Sequence, residues 1–232
     1  MADKIQRTQN PTAAKYNVQL GIAYLQQGDV DRARMKLQLA LAQDPNSTMA
    51  LDAMAYFLEQ TGETGVAERY YRQAIAVGRD MGNGENNYGT FLCRQKRFAE
   101  AQQHFMAAVR DPRYMTPGEA YENAGLCAMQ VPDEKQAQEY FVKALQRQPK
   151  LPKSLLELVH IEYNQGHYVE AQNYYNRFVA AAGKQNGESL LLGLRLAQHF
   201  GEQSVAANYA QQLQSQFPHS QEYLTLMNEM KS

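Results

Sequence analysis

The chain has 232 residues, enough for one large domain or a short repeat array, and its 44% apolar content is ordinary for a folded protein. Formal net charge is −1 with no cluster of Lys or Arg, which removes the usual electrostatic basis for binding nucleic acid or an anionic membrane surface. No apolar run approaches the ~18 residues of a membrane span, and the two cysteines, Cys93 and Cys127, are too few to build a disulfide framework.

Residues 1–13 read as a flexible N-terminal tether. Met1 to Pro11 is polar and lacks the apolar centre of a signal peptide. That leaves either a cytosolic protein or one whose export signal has been removed. From Ala14 the pattern becomes helical. Tyr16, Leu20, Ala23 and Tyr24 follow three-and-four spacing. Gly28 can adopt the left-handed conformation that stops this helix, and Asp29 can cap the next. The second helix carries Ala33, Leu37 and Ala40 on one face, and Asp44-Pro45-Asn46 ends the unit because proline cannot continue a helix.

The unit then recurs. Ala33, Ala67, Ala101, Ala137, Ala171 and Ala206 are spaced by 34, 34, 36, 34 and 35 residues. Leu37, Tyr71, Phe105, Phe141 and Tyr175 follow at a constant offset as the bulky residue of each second helix. Gly28, Gly62, Gly166 and Gly201 precede the second helices, with Lys96 and Pro132 standing in for glycine in the middle units. Gly21, Gly89 and Gly125 recur in the first helices, where a small residue lets two helix axes approach closely. Residues recurring in phase near period 34 resemble the tetratricopeptide repeat. The resemblance implies an all-α fold: a right-handed α-solenoid of six repeats, about 14–47, 48–81, 82–117, 118–151, 152–186 and 187–219, closed by a C-terminal capping helix over 220–232. The sixth repeat is atypical, as terminal repeats are: Gly193 fits one register, whereas Gly201, Ala206 and Pro218 fit a register one residue later. The loop from Asp111 to Pro117 is longer than the others and is expected to bulge from one edge.

Enzymatic constellations are not visible. There is no phosphate-cradling glycine loop with lysine and no helical His pair with an intervening Glu. His104, His160, His167, His199 and His219 are not spaced as metal ligands. The expectation is therefore a binding protein with no catalytic residue, metal or cofactor. Asn87 and Asn123 sit shortly before first-helix glycines. They are either clamps for a peptide backbone or, more simply, partners for a neighbouring helix terminus. In solenoids of this class the first helices line the concave groove. Extrapolating the register places Val18, Ile22, Leu25, Met49, Asp52, Tyr56, Glu59, Asn86, Thr90, Leu126, Met129, Leu156, His160 and Tyr163 there, with part of the set expected to be buried between helices. Methionine and tyrosine give such a groove adaptable, amphipathic contact surface.

Three segments go beyond the generic repeat: Asn86-Asn87-Tyr88-Gly89-Thr90-Phe91-Leu92-Cys93, Tyr121-Glu122-Asn123-Ala124-Gly125-Leu126-Cys127 and Ser189-Leu190-Leu191-Leu192-Gly193-Leu194-Arg195-Leu196-Ala197. They resemble the type IV pilus biogenesis and stability lipoproteins of the PilF/PilW family. The resemblance implies a periplasmic protein held at the outer membrane by a lipidated N-terminal cysteine. It implies a role in assembly or stability of the pilus secretin and of the pilus fibre, with the secretin or other pilus-assembly proteins as partners. No lipobox or N-terminal cysteine is present, so the resemblance implies a form without signal and anchor residues. An oxidising periplasm would allow Cys93 and Cys127 to form a disulfide, because both lie late in the first helices of adjacent repeats. The alternative is two buried thiols. The other functional reading is a generic tetratricopeptide adaptor in another envelope or cytosolic complex.

Overall fold

A computed structural model describes residues 9–131 and 134–229. Among the described residues it contains thirteen α-helices and no strand. They are α1 (Pro11–Gln26), α2 (Val30–Gln43), α3 (Thr48–Gln60), α4 (Thr64–Val77), α5 (Met81–Arg94), α6 (Phe98–Arg110), α7 (Pro117–Ala128), α8 (Glu134–Arg147), α9 (Pro152–Asn164), α10 (Tyr168–Ala182), α11 (Gly187–His199), α12 (Gln203–Gln216) and α13 (Gln221–Glu229). Odd and even helices up to α12 are the first and second helices of successive repeats, and α13 is the capping helix.

The tether reading needs one correction. Helix α1 starts at Pro11, with Asn10 accepting the Ala13 N–H at 3.0 Å. Proline at the first helical position is preset for the helix, so residues 11–13 belong to α1. The rest of the predicted tether before Gln9 lies outside the described residues, as do Pro132 and the last three positions of the capping segment.

The turn between paired helices is set by backbone chemistry. Gly28 takes φ 78°, its N–H bonds Leu25 O, and the next N–H, of Asp29, reaches back to Tyr24 O at 2.9 Å. Glu63, Arg97, His167 and Glu202 close the same loop onto Leu58, Leu92, Glu162 and Ala197. This Schellman closure needs a left-handed residue just beyond the helix. Lys96 meets that need at φ 60°, where Gly28, Gly62, Gly166 and Gly201 meet it in other repeats. Asp29 also caps α2, accepting the Arg32 N–H at 3.0 Å.

The chain divides into two compact units, one ending at Asn123 and the other starting at Ala124. In the first, Ala33, Ala40, Ala67, Ala74, Ala101 and Ala108 are fully buried. Their small size brings each second helix against its first helix, and Leu37, Tyr71 and Phe105 fill the space beside the crossing. The approach is tight: a Cβ on Gly21 would lie 2.7 Å from Leu37 Cγ, and one on Gly89 would lie 2.9 Å from the Phe105 ring. The long loop after α6 does not bulge. Asp111 accepts the Gly82 N–H at 3.1 Å, and Tyr114 is buried with Ala108 and Ala120. Only Met115 among the loop's large apolar side chains stands out, 87% exposed.

In the second compact unit Phe141 packs against Gly125, where a Cβ would come within 2.6 Å of its ring. The sixth repeat breaks the pattern. Gly193 is covered by Tyr175 of the preceding repeat, whose hydroxyl donates to Ser189 O at 2.9 Å. Ala206 is only half-buried. Helix α13 closes this end by seating Leu226 against Leu190, Leu191, Leu194 and Leu213. No described helix is long and apolar enough to cross a membrane.

Candidate functional site: a cleft on the first helices

The first compact unit contains a cleft of about 370 Å³. Helix α1 contributes Ile22, α3 contributes Asp52, Ala53 and Tyr56, and α4 contributes Tyr71. Helix α5 adds Asn86, Asn87, Thr90 and Arg94, and α7 adds Asn123.

Repeat geometry explains the floor of the cleft. Asp52 and Asn86 occupy one register position in consecutive repeats, and Asn87 and Asn123 occupy the next. Asn87 Nδ2 donates to Asp52 Oδ2 at 2.9 Å, and Asn123 Nδ2 donates to Asn86 Oδ1 at 3.0 Å. Each rung joins the first helix of one repeat to that of the next. The ladder stops towards α1 because its two positions there are held by Val18 and Ala53, which are apolar. Neither Asn87 nor Asn123 serves a helix terminus, the simpler of the two readings made from sequence; both bind side chains on the neighbouring repeat.

A second network sits beside the ladder. Arg94 grips Glu59 with both arms of its guanidinium, at 2.5 and 2.6 Å. Glu59 also accepts the Tyr71 hydroxyl at 3.3 Å. Burial and the Glu59 charge hold the Tyr71 phenol well above its usual range. The Arg94 charge is thus balanced inside the cleft wall.

Asp52 is different. Its Oδ1 is buried and has no hydrogen-bond partner. Burial pushes its carboxyl up to about 7; the Asn87 amide opposes the shift and the negative charge of Asp80 adds to it.

Of the residues placed in the groove from sequence, this cleft gathers Ile22, Asp52, Tyr56, Asn86 and Thr90. Val18 is 5% exposed and belongs to the core, since an apolar residue at the ladder position has no rung to make. Leu25 and Met49 do not line the cleft. The Glu59 carboxylate is occupied by Arg94 and Tyr71. In the second compact unit Leu126, Leu156 and His160 are half-buried. Met129 falls in the turn after α7, not on the helix, because α7 ends at Ala128. Tyr163 packs edge-to-face on Tyr168, ring centroids 5.2 Å apart. His160 Nε2 lies 3.0 Å from Glu188 Oε1 yet makes no hydrogen bond, which reflects poor alignment of the two groups.

Tyr71 and Ala53 were missed as cleft residues. Tyr71 carried a signal: a buried tyrosine at a position that Leu37, Phe105 and Phe141 fill with apolar side chains needs a partner for its hydroxyl. Cys93 and Cys127 are both buried, and neither is a free thiol. Among the described residues no group of three or more His, Cys, Asp or Glu could hold a metal ion.

Models of the tetratricopeptide repeat match residues 18–47, 50–85 and 118–151. The chain is 40% identical over 206 residues to the type IV pilus assembly protein PilF of Pseudomonas aeruginosa, covering 89% of this chain and 81% of that one. It is 40% identical over 117 residues to an uncharacterized protein of Haemophilus influenzae, covering 50% of this chain and 65% of that one. Among solved structures, that of Pseudomonas aeruginosa PilF superposes with a TM-score of 0.79 at 38% identity, over 94% of this chain and 97% of that one. The structure of PilW, described as a widely conserved type IV pilus biogenesis factor, superposes with a TM-score of 0.75 at 30% identity, over 94% of this chain and all of the other.

Proposed function

Because the chain belongs to the PilF/PilW family of type IV pilus biogenesis proteins, we propose that it is a non-enzymatic scaffold that holds protein partners during pilus biogenesis. The observation that carries this reading is the cleft itself. It combines half-buried Ile22 and the 39% exposed Tyr56 with the amide ladder, on the first helices of successive repeats. A partner segment that covered the apolar part would gain about 25 cal/mol per Å² before ordering costs. Tyr56 is the expected anchor, since aromatic side chains dominate such interfaces.

The partner we assign is the outer-membrane secretin, whose assembly or stability the scaffold supports, together with fibre stability. The site of action is the periplasm, at the outer membrane, with attachment through a lipid anchor outside this sequence. An oxidising compartment fits a Cys93–Cys127 bridge, which we propose for the native protein.

The test is capture from envelope extract with the purified chain as bait. Enrichment of the secretin is expected on the parent protein and is lost with Ile22→Ser plus Tyr56→Ser at unchanged thermal stability. Capture that survives the double change moves the site elsewhere. Absence of secretin and of every pilus component from the parent capture rejects the pilus role and leaves a generic adaptor.

A further inference from the structure

Among the described side chains that line the cleft, Asp52 alone has a buried oxygen without a hydrogen-bond partner. Four other polar side chains of the cleft already have partners. Arg94 is bound to Glu59, Asn87 to Asp52 itself, Asn123 to Asn86, and the Thr90 hydroxyl to the Asn86 carbonyl of its own helix. A buried acceptor left open is costly to keep, on the order of 1–3 kcal/mol. In a binding cleft, the arrangement makes sense if the missing donor arrives with the ligand.

The electrostatics select the donor. From α3 the charged and titratable groups around Asp52 are Glu59 and Tyr56; from α4, Tyr71; from the start of α5 and its end, Asp80 and Arg94. The residue that α1 contributes is Ile22 and the one from α7 is Asn123, neither of which carries charge. Arg94 is paired with Glu59, and the charge that bears on Asp52 is the negative one of Asp80. We propose that Asp52 is a recognition point for a basic side chain: the protein segment held in the cleft presents a Lys or Arg whose N–H donates to the Asp52 carboxylate while its aliphatic stem lies along Ile22 and Tyr56. Long cationic side chains bury their stems against apolar surface in this way, and a tyrosine ring adds attraction for the charge. An acidic segment would meet two carboxylates and is disfavoured. This inference rests on the cleft being the partner site.

The ion pair needs an ionised Asp52, and the empty site holds its proton up to about pH 7. Binding of a basic segment therefore expels a proton below that pH. The sign follows: affinity is full well above pH 7 and falls as pH drops, by about tenfold between pH 8 and pH 6.

The experiment uses the full chain on an array of nine-residue peptides with randomised flanks and a fixed central Lys, Arg, norleucine, Gln or Glu. Retention of Lys- and Arg-centred peptides is expected to exceed that of norleucine-centred ones by about tenfold or more at pH 8, and the preference should fade at pH 6. Asp52→Asn keeps the shape and the Asn87 contact while removing the charge, and should abolish the preference; its melting curve confirms that it is folded. Retention without basic preference, or a preference that survives Asp52→Asn, overturns the inference while the cleft reading stands. If no peptide of any centre is retained, both fall.

Discussion

The two compact units use one repeat template and spend it differently. In the first, the first helices present Asp52, Asn86, Asn87, Thr90 and Asn123, and the cleft floor is a ladder of side-chain amides. In the second, α11 is almost wholly interior. Leu190, Leu191, Leu192, Leu194 and Leu196 are all buried, and α13 covers part of that surface. What the units share is a set of fully buried second-helix alanines, Ala33, Ala67 and Ala101 in one and Ala137 and Ala171 in the other. What they do not share is the chemistry of the remaining first-helix positions. The repeat therefore fixes its fold at one set of positions and leaves another set open to carry function, which is why a common fold does not reveal a partner.

That contrast can be broken most severely at Gly193. A Cβ there would overlap the Tyr175 hydroxyl, which is pinned by Ser189 O and by the Gln185 amide at 2.7 Å. Gly193→Ala should cost on the order of 4 kcal/mol, read as a fall in the urea midpoint. If the substitution is tolerated, the sixth repeat is not held by this cross-repeat contact. Next in size is the proposed disulfide. Thiol titration of unreduced, denatured protein should find no free thiol, and reduction should cost about 3 kcal/mol. Two titratable thiols per chain would rule the bridge out.

Asp52→Asn sharpens the comparison from the functional side. Its carboxyl ionises near 3.8 in the unfolded chain but near 7 in the folded one. Between those values the folded state binds more protons. Ionisation therefore erodes stability as pH rises from about 4, and the loss is complete above about 7. The amide removes this penalty, so Asp52→Asn should stabilise by about 2 kcal/mol at pH 8 and by progressively less towards pH 4. Equal effects at both pH values would contradict the assignment. A residue kept at a cost to stability is what a binding site requires. The smallest effect is at Lys96. Holding φ at 60° strains a side-chain-bearing residue, so Lys96→Gly should raise stability by about 1 kcal/mol.

The parts of the fold that were legible in the sequence are those where size or backbone freedom leaves little choice. Alanine at Ala33, Ala67 and Ala101 marks close helix crossings, and glycine at Gly28 and Gly62 marks left-handed closures. Even Lys96 was found, because the repeat phase placed it where a glycine belongs. The site was less legible. Asn87 and Asn123 stand out in the sequence, but a rung needs an acceptor one register position earlier in the preceding repeat, 35 or more residues away. Nothing local distinguishes that partner from a helix end. Val18 was misplaced for the related reason that helical spacing gives a face but not its depth. The loop at Tyr114 was misread because its length was visible while the notch at Gly82 that receives it was not.

The ladder has a mechanical consequence. The rungs from Asp52 to Asn87 and from Asn86 to Asn123 tie α3 to α5 and α5 to α7 on the cleft side, at 2.9 and 3.0 Å. A stack of helix pairs flexes by letting neighbouring first helices separate, and short side-chain tethers across that seam resist the separation. For a cleft that holds a partner as proposed above, these tethers favour a host already near its bound shape. An arriving segment has to order itself but not its host, so the gain from each contact is less diluted by loss of motion in the scaffold.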